Sequence, residues 1–179
     1  MRALGDQEGE SGSGGDYTLY IIEDSVQLNQ IKVAASILGV TLKIVTLDEE
    51  TRTSKEHKNK NPTGKYPLLE SKEGTLSGVV SITKFLCKKS KKLLGDNSAL
   101  SLTKIDQWSF WSIAQLEPTC QQVMQGIFEA DAVYMGSWND SSKALKDMVK
   151  QVNKALMSSD YLCGNQMTIA DVLVATSLI

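Results

Sequence analysis

The sequence predicts an α/β unit followed by an all-helical unit, a chain of the α/β plus all-α class. The first observation is a strand–helix–strand order near the start. The second is a proline-led pair of short strands that runs into another helix, at 61–86. The third is the helical spacing of apolar residues throughout the second half. With 179 residues, 41% of them hydrophobic, the chain is long enough for one large domain or two small ones.

The first half opens with a predicted strand, helix and strand. The apolar run 17–22 is typical of a buried strand, and 26–38 has the broad apolar face of a packed helix. Ser25 or Asp24 is placed to cap that helix. The alternating run 41–47 predicts a second strand. Since a helix connects the two strands, we expect them to be parallel.

The stretch 61–86 completes this half with two strands and a helix. Pro67 precedes the apolar pair that ends at Leu69, and an X-Pro bond at a strand start is a candidate for the cis form. Leu76 marks a second short strand. From Val79 onward, apolar residues recur at helical spacing.

The second half is predicted to be helical after a polar linker at 91–98. Apolar residues recur from 102 to 128, and Pro118 within this run should kink or restart the helix. The segment 131–140 predicts a loop, and 141–157 predicts an amphipathic helix. We assign 17–90 to the first domain and 99–179 to the second.

The last predicted helix has a strong start signal. Thr168 at the N-cap and Asp171 three residues later match a capping box, with Asp in place of Glu. The following residues are apolar all round, which predicts a buried helix. A buried helix start needs its free N–H groups satisfied, so the capping box is expected to matter.

Composition excludes several classes of protein. A net charge of −2 offers no general attraction for nucleic acid. No apolar run approaches the roughly 18 residues of a membrane helix. Residues 1–16 are rich in Gly, Ser and acidic residues, and we interpret them as a disordered leader or tag. Three widely spaced cysteines predict no disulfide framework, and they favour a reducing, cytoplasmic compartment.

Two motifs in the two halves resemble the glutathione transferase superfamily. NPTGKYPLLE, at 61–70, is similar to its Asn-Pro-x-Gly-x-x-Pro-x-Leu pattern, and YLCGNQMTIAD, at 161–171, is similar to its Tyr-Leu-x-Gly-x-x-x-Thr-x-Ala-Asp pattern. The resemblance implies a thioredoxin-like N-terminal domain followed by a GST-type helical domain, which we expect to be truncated at Ile179. It also implies that Pro67 is cis and that the backbone around Tyr66 faces the glutathione site.

The glutathione site implied by the resemblance is incomplete in this sequence. Enzymes of the superfamily carry a Glu/Gln-Ser pair after the fourth strand, and that pair holds the γ-glutamyl end of glutathione. Here the pair falls on Gly78 and Val79, and neither has a side chain that forms hydrogen bonds. Charged groups of a ligand left unpaired on binding cost a few kcal/mol, roughly, so we expect glutathione binding to be weak or absent.

The run Lys104–Trp108, with Glu117 and Pro118 after it, is similar to GST-like domains of translation proteins. Those are domains of aminoacyl-tRNA synthetases, of their scaffold proteins, and elongation factor 1 gamma. Synthetase-type domains often lack the Glu-Ser pair, as this chain does. The leading hypothesis is therefore a non-catalytic interaction domain that assembles a synthetase or related factor into a cytoplasmic complex. An elongation factor 1 gamma-type structural subunit is an alternative.

A glutathione transferase that uses Ser25 is the other alternative. Ser25 follows the first strand, where some members of the superfamily place a catalytic serine that stabilises the glutathione thiolate. The competing interpretation is that Ser25 only caps the helix, and we favour it because the ligand half-site is missing. Residues 22–25 contain no cysteine, which argues against redox chemistry. No metal is expected, because His57, in a polar loop, is the only histidine.

Partners are expected to be other GST-like domains, as homodimer or heterodimer. Trp108 and Trp111 are interface candidates, with core packing as the alternative. Lysines near the closing unit offer weak attraction for tRNA, and we favour solvated helix faces instead. They are Lys55, Lys58, Lys60, Lys65, Lys84, Lys88, Lys89, Lys91 and Lys92. We expect no cofactor, except glutathione under the enzymatic alternative.

Overall fold

The computed structural model describes residues 17–23, 25–128 and 132–179, without the side chains of 132–137. The predicted leader, 1–16, and Asp24 as an alternative cap lie outside the described residues. A four-stranded sheet has the order β2-β1-β3-β4. Its strands are β1 (Tyr17–Ile21), β2 (Lys43–Thr46), β3 (Leu68–Ser71) and β4 (Gly74–Ser77).

The strand pairing is that of a thioredoxin-like unit. β1 runs parallel to β2, as expected for a strand–helix–strand unit, and antiparallel to β3, which forms a hairpin with β4. Alternate residues of β1 face opposite sides of the sheet. Leu19 and Ile21 enter the apolar core with α1 and α4, whereas Tyr20 contacts His57. The helices of this unit are α1 (Val26–Leu38), α2 (Glu49–Thr53), α3 (Lys55–Lys60) and α4 (Val79–Ser90).

The segment between β2 and β3 begins with the two short helices α2 and α3. His57 is not in a polar loop, as expected, but in α3 and only 6% exposed. The aromatic rings of Tyr20 and Tyr66 enclose it: its ring lies edge-on to Tyr20 and stacks on Tyr66 at 5.9 Å. Aromatic contacts therefore bury a residue that its polar neighbours had indicated as exposed.

The second unit is helical. It comprises α5 (Ala99–Trp111), a π-helical turn (Ser112–Leu116), α6 (Glu117–Phe128), α7 (Ala132–Leu156) and α8 (Ile169–Ser177). Pro118 is the second residue of α6, directly after the π-helical turn, and the backbone stays helical from α5 through this turn into α6. A proline has no N–H to donate to the preceding turn of helix, and the π-helical turn accommodates it. The helix therefore does not restart at Pro118. None of the helices in the described ranges is long and apolar enough to cross a membrane.

The prediction of a loop at 131–140 is wrong, because α7 already begins at Ala132. Packing against α6 explains the extra turns of helix. Ser141 Oγ donates to Gln122 Oε1 at 2.9 Å, and Trp138 lies against Gly126, where a Cβ would overlap the indole. Tertiary contacts thus override the turn-forming residues in this stretch.

One apolar core joins the two units. Leu19, Leu28 and Ile82 of the first unit meet Ile105 and Leu173 of the second, and all five are at most 2% exposed. The predicted fold class is therefore confirmed, a thioredoxin-like unit followed by a helical unit. The helix α8 reaches into the core as the sequence predicts.

The start of α8 is tied to two other parts of the chain. The Asp171 carboxylate accepts hydrogen bonds from the Thr168 N–H at 2.8 Å, from the Thr168 hydroxyl at 2.9 Å and from the Leu162 N–H at 2.8 Å. The Ile169 N–H donates to the Leu93 carbonyl at 3.1 Å. The capping residues therefore fasten the linker and the 161–164 turn to α8.

Candidate functional site

A polar cleft of about 310 Å³ lies where the two units meet. It is bounded by the end of β1, the first turn of α1, the loop before β3 and the start of α6. Functional groups in its wall come from Glu23, Ser25, Gln27, Lys65, Tyr66, Glu117 and Gln121.

Ser25 lines the cleft and caps α1. Its backbone is extended, and its Oγ accepts a hydrogen bond from the Leu28 N–H at 3.1 Å. This satisfies one of the free N–H groups at the helix start, which is the structural role that the sequence favours. The same hydroxyl still has a proton to donate, and Ser25 is among the residues that line the cleft.

The loop before β3 supplies the opposite wall. The Tyr66–Pro67 peptide bond is cis, as the sequence resemblance implies. The Pro67 carbonyl accepts a hydrogen bond from the Gly78 N–H at 3.1 Å. Asn61 holds the loop from behind, since its side-chain amide donates to the Lys65 carbonyl at 3.0 Å. Tyr66 and Pro67 therefore take part in the cleft.

Gly78 and Val79 do not line the cleft. Gly78 is the N-cap of α4 with φ of +85°, and it provides no side-chain hydrogen bond to the helix. Val79, the first residue of α4, is 2% exposed and packs in the apolar core. Gly78 and Val79 thus present neither a hydroxyl nor a carboxylate to a ligand.

Glu117 is the functional group whose role sequence reasoning missed. It is only 6% exposed, it lines the cleft, and its Oε1 accepts a hydrogen bond from the Gln27 amide at 3.3 Å. Within the described chain its Oε2 has no hydrogen-bond partner. Burial raises the pKa of Glu117, against the opposing effect of the Gln27 and Gln30 amides. The sequence motif contained this residue but gave no sign of its burial.

A buried polar network continues behind Glu117. The Gln30 amide donates to Ser177 Oγ at 3.0 Å, and Ser177 Oγ lies 2.9 Å from Ser112 Oγ in the π-helical turn. Gln30 is fully buried, and its Oε1 has no partner among the residues described. Gln30 was not singled out from sequence, since it falls among apolar residues on the core face of α1.

Tyr20 belongs to a different polar cluster, on the sheet face opposite α1. Its hydroxyl donates to Glu70 Oε2 at 2.7 Å, and Lys60 Nζ lies 3.1 Å from Glu70 Oε1. The hydrogen bond to Glu70 is the main reason why the pKa of Tyr20 is raised. Tyr20 does not line the cleft, so its hydroxyl does not take part in chemistry there.

Trp108 and Trp111 pack inward. Their rings meet edge to face at 5.2 Å, and both contact the smaller core cluster formed by Leu116, Leu162 and Val174. The exposed aromatic residue of α5 is Phe110, which is 60% exposed.

The cysteines and acidic residues offer no evident redox or metal site. Burial raises the pKa of the Cys87 thiol to about 12, and the pKa values of Cys120 and Cys163 are also raised by burial. Such thiols have little thiolate at neutral pH and react slowly. The described side chains include no group of three or more His, Cys, Asp or Glu arranged to hold a metal ion.

Comparisons with known proteins agree with this fold. Residues 15–86 match the family "Glutathione S-transferase, N-terminal domain". The chain is similar to elongation factor 1-gamma of Trypanosoma cruzi, with 23% identity over 87% of this chain and 38% of the relative. It is 27% identical to elongation factor 1-gamma of Prunus avium, over 82% of this chain and 35% of the relative.

A bacterial enzyme and a solved enzyme structure are also similar. Glutathione S-transferase GST-4.5 of Xanthomonas campestris is 25% identical over 75% of this chain and 68% of its own length. The structure of glutathione S-transferase-I bound with lactoylglutathione superimposes with a TM-score of 0.78 and 20% identity, over 91% of this chain and 81% of that chain. The chain is thus GST-like and resembles elongation factor 1-gamma, although it spans less than two fifths of the two elongation factor relatives, 38% and 35%.

Proposed function

We propose that this chain is a non-catalytic GST-like interaction domain of the translation machinery, of the elongation factor 1-gamma kind. In this role the fold is a scaffold that docks a larger protein into a cytoplasmic complex. No cofactor is needed, and the partner is another GST-like domain.

The observation that supports a non-catalytic role is the pair of residues at the start of α4, Gly78 and Val79. A helix N-terminus binds an anion well when its N–H groups and neighbouring hydroxyls are open to the ligand. Here Val79 is buried in the core and Gly78 has no side chain to contribute. The α-amino and α-carboxylate groups of glutathione would remain without these side-chain partners, at roughly 1–3 kcal/mol each.

A surface suited to a partner domain lies on α4 and α5. Phe85 and Phe110 flank a shallow cavity of about 310 Å³, which Lys84 and Lys88 also line. Lys84 Nζ pairs with Asp106 Oδ1 at 2.6 Å and so fixes α4 against α5. An exposed phenylalanine on a rigid pair of helices is a typical interface anchor.

Sequence relatives favour the elongation factor kind over the synthetase kind. Elongation factor 1-gamma proteins of several organisms align over most of this chain. The missing Glu/Gln-Ser pair had favoured a synthetase-type domain, and assembly with aminoacyl-tRNA synthetases stays a second form of the same proposal.

Glutathione binding tests the non-catalytic part. We expect isothermal titration calorimetry to give no measurable heat at millimolar glutathione, and no conjugation of 1-chloro-2,4-dinitrobenzene above the uncatalysed rate. An active glutathione transferase serves as the positive control. Saturable binding together with conjugation would overturn the proposal.

Partner capture tests the docking part. The tagged chain is incubated with lysate of its own organism, and bound proteins are identified by mass spectrometry. We expect elongation factor or synthetase subunits, and we expect Phe110→Asp to lose them while Ile37→Asp, at a residue 39% exposed on α1, retains them. Recovery of neither class of translation protein would contradict the proposal.

A glutathione transferase with Ser25 as its catalytic residue is the second candidate. It is favoured by the position of the Ser25 hydroxyl in the cleft and by the bacterial enzyme relative. If the chain conjugates glutathione, Ser25→Ala should remove at least about 90% of kcat while Ser36→Ala, at an exposed position of α1, leaves it unchanged.

A further inference from the structure

The helix α6 exposes apolar side chains along a strip without charge. From Pro118 to Phe128 it contains no Asp, Glu, Lys or Arg. Met124 is 49% exposed, Ile127 56% and Phe128 77%. A continuous strip of this kind on a folded protein is typical of a binding surface.

A groove runs beside this strip, between α6 and α7. Val123 contributes the α6 wall, and Leu145 and Val149 contribute the α7 wall. The groove has a volume of about 490 Å³. We call it the α6–α7 groove. Leu145 and Val149 are one helical turn apart, so their side chains form a straight apolar row along the groove.

The charged rim of the α6–α7 groove has one sign. Lys146 and Lys150 line it, and none of the residues lining it is acidic. Asp147 pairs with Lys150 at 2.9 Å but stays outside the lining. The groove is therefore apolar at its floor, and Lys146 makes its α7 edge positive, whereas Asp147 offsets the charge of Lys150.

We propose that the α6–α7 groove binds an amphipathic helix with acidic flanks from a partner protein. A third helix fits naturally between two packed helices, because side-chain ridges enter the groove between them. From Ser142 to Val149 the groove is about two turns long, or about 10 Å. That length accepts apolar anchors at positions i, i+4 and i+7 of the incoming helix.

Lys146 and Lys150 determine which charge the partner helix should carry. Glutamates beside its apolar anchors would lie opposite Lys146 and Lys150, whereas lysines there would meet like charges. The groove is separate from the cleft beside Ser25 and from the face on α4 and α5. The inference stands independently of the proposed function, because it requires neither glutathione chemistry nor a particular partner domain.

Fluorescence anisotropy with two synthetic peptides tests this inference. Both are fluorescein-labelled helices with leucines at i, i+4 and i+7, flanked by glutamates in one and by lysines in the other. At low ionic strength we expect the acidic peptide to bind at least about tenfold more tightly than the basic peptide. Screening at 1 M salt should reduce that preference.

Matched variants locate the site. Val149→Asp should abolish binding of the acidic peptide, while Val33→Asp, at a position 39% exposed on α1 against 44% for Val149, should not change it. Lys146→Glu with Lys150→Glu should reverse the preference toward the basic peptide. The same double charge change at the exposed Lys32 and Lys43 should preserve it. Far-ultraviolet circular dichroism and thermal unfolding show that each variant is folded.

Three outcomes would overturn the inference. One is equal binding of the two peptides, and another is an unchanged preference in the double lysine variant. The third is a self-associated protein, seen by light scattering, that Val149→Asp converts to monomer, because the groove would then hold a second copy of the chain.

Discussion

Glu117 is a buried acid whose surroundings favour its protonated form. Burial disfavours the carboxylate, whereas the Gln27 and Gln30 amides stabilise it. Burial raises the folded-state pKa of Glu117 above its unfolded value of about 4.3. The neutral acid therefore stabilises the fold below that unfolded pKa, and this contribution is lost as the pH rises through the folded-state pKa.

Replacing Glu117 by Gln should remove this loss of stability at rising pH. The amide keeps an acceptor for Gln27 and carries no charge at any pH. We expect the unfolding free energy of Glu117→Gln, relative to wild type, to increase between pH 4 and pH 7 in urea titrations. Glu50→Gln, at an exposed position of α2, is the control and should show no such increase. An unchanged difference would show that the folded-state pKa of Glu117 equals its unfolded value.

The pKa of Glu70 is shifted in the opposite direction to that of Glu117. The Tyr20 hydroxyl, and then Lys60, hold the pKa of Glu70 below its ordinary value. Its ionised form therefore adds stability above the unfolded pKa, and that stability is lost as the pH falls through the folded-state pKa. Glu70→Gln should destabilise the protein at pH 7 and much less at pH 3, as measured by urea unfolding. In a Tyr20→Phe background the effect of Glu70→Gln at pH 7 should shrink, because its main partner is gone.

At the residue scale, sequence reasoning identified side chains with local roles. Ser25, Thr168 and Asp171 follow from capping patterns that span a few residues. Glu117 and Gln30 acquire their roles from α1, α6 and α8 meeting in space. No local pattern encodes that meeting, so their burial required the structure.

At the element scale, the start of α8 depends on one carboxylate. Asp171→Ala would leave the Thr168 N–H, the Thr168 hydroxyl and the Leu162 N–H without their acceptor. We expect a loss of about 2 kcal/mol or more in unfolding free energy. Asp160→Ala, an exposed aspartate before the same turn, is the control and should cost less than about 0.5 kcal/mol. Equal losses would show that the three bonds do not stabilise the helix start.

Helices with a strong apolar periodicity could be predicted from the sequence. Helices whose bounds depend on tertiary contacts could not. The bounds of α1 match the apolar spacing and the cap at Ser25. The first turns of α7 contain Gly136 and the pair Asn139 and Asp140, which favour turns locally. Packing of α7 along α6 decided the outcome there, and sequence spacing carries no information about that contact.

At the scale of the whole molecule, the two units should unfold together, because one core spans both. Leu173 of α8 is fully buried in that core. Leu173→Ala should cost about 2–5 kcal/mol. Far-ultraviolet circular dichroism and tryptophan fluorescence, which reports only on the second unit, should then give coincident transitions. Val149→Ala, at an exposed position, should change stability little. Separate transitions would show that the units are independent.

The overall architecture was predictable because it follows from the order of strands and helices. Strand–helix–strand order implies a parallel pair, and the two motifs lie in the halves that their resemblance requires. The position of the cleft follows from the same order. Its chemistry does not, because the polar groups that line it come from both units.

The burial of Val79 makes a side-chain contact to glutathione costly to introduce at this position. A serine restored at this position would exchange core packing for a hydroxyl within an apolar cluster, a change that costs about 1–3 kcal/mol. A glutamate at Gly78 would have to adopt a positive φ, which disfavours any residue with a Cβ. Each single substitution toward a Glu-Ser pair would thus lose stability before any binding was gained. The packing at the start of α4 therefore opposes a glutathione contact one substitution at a time.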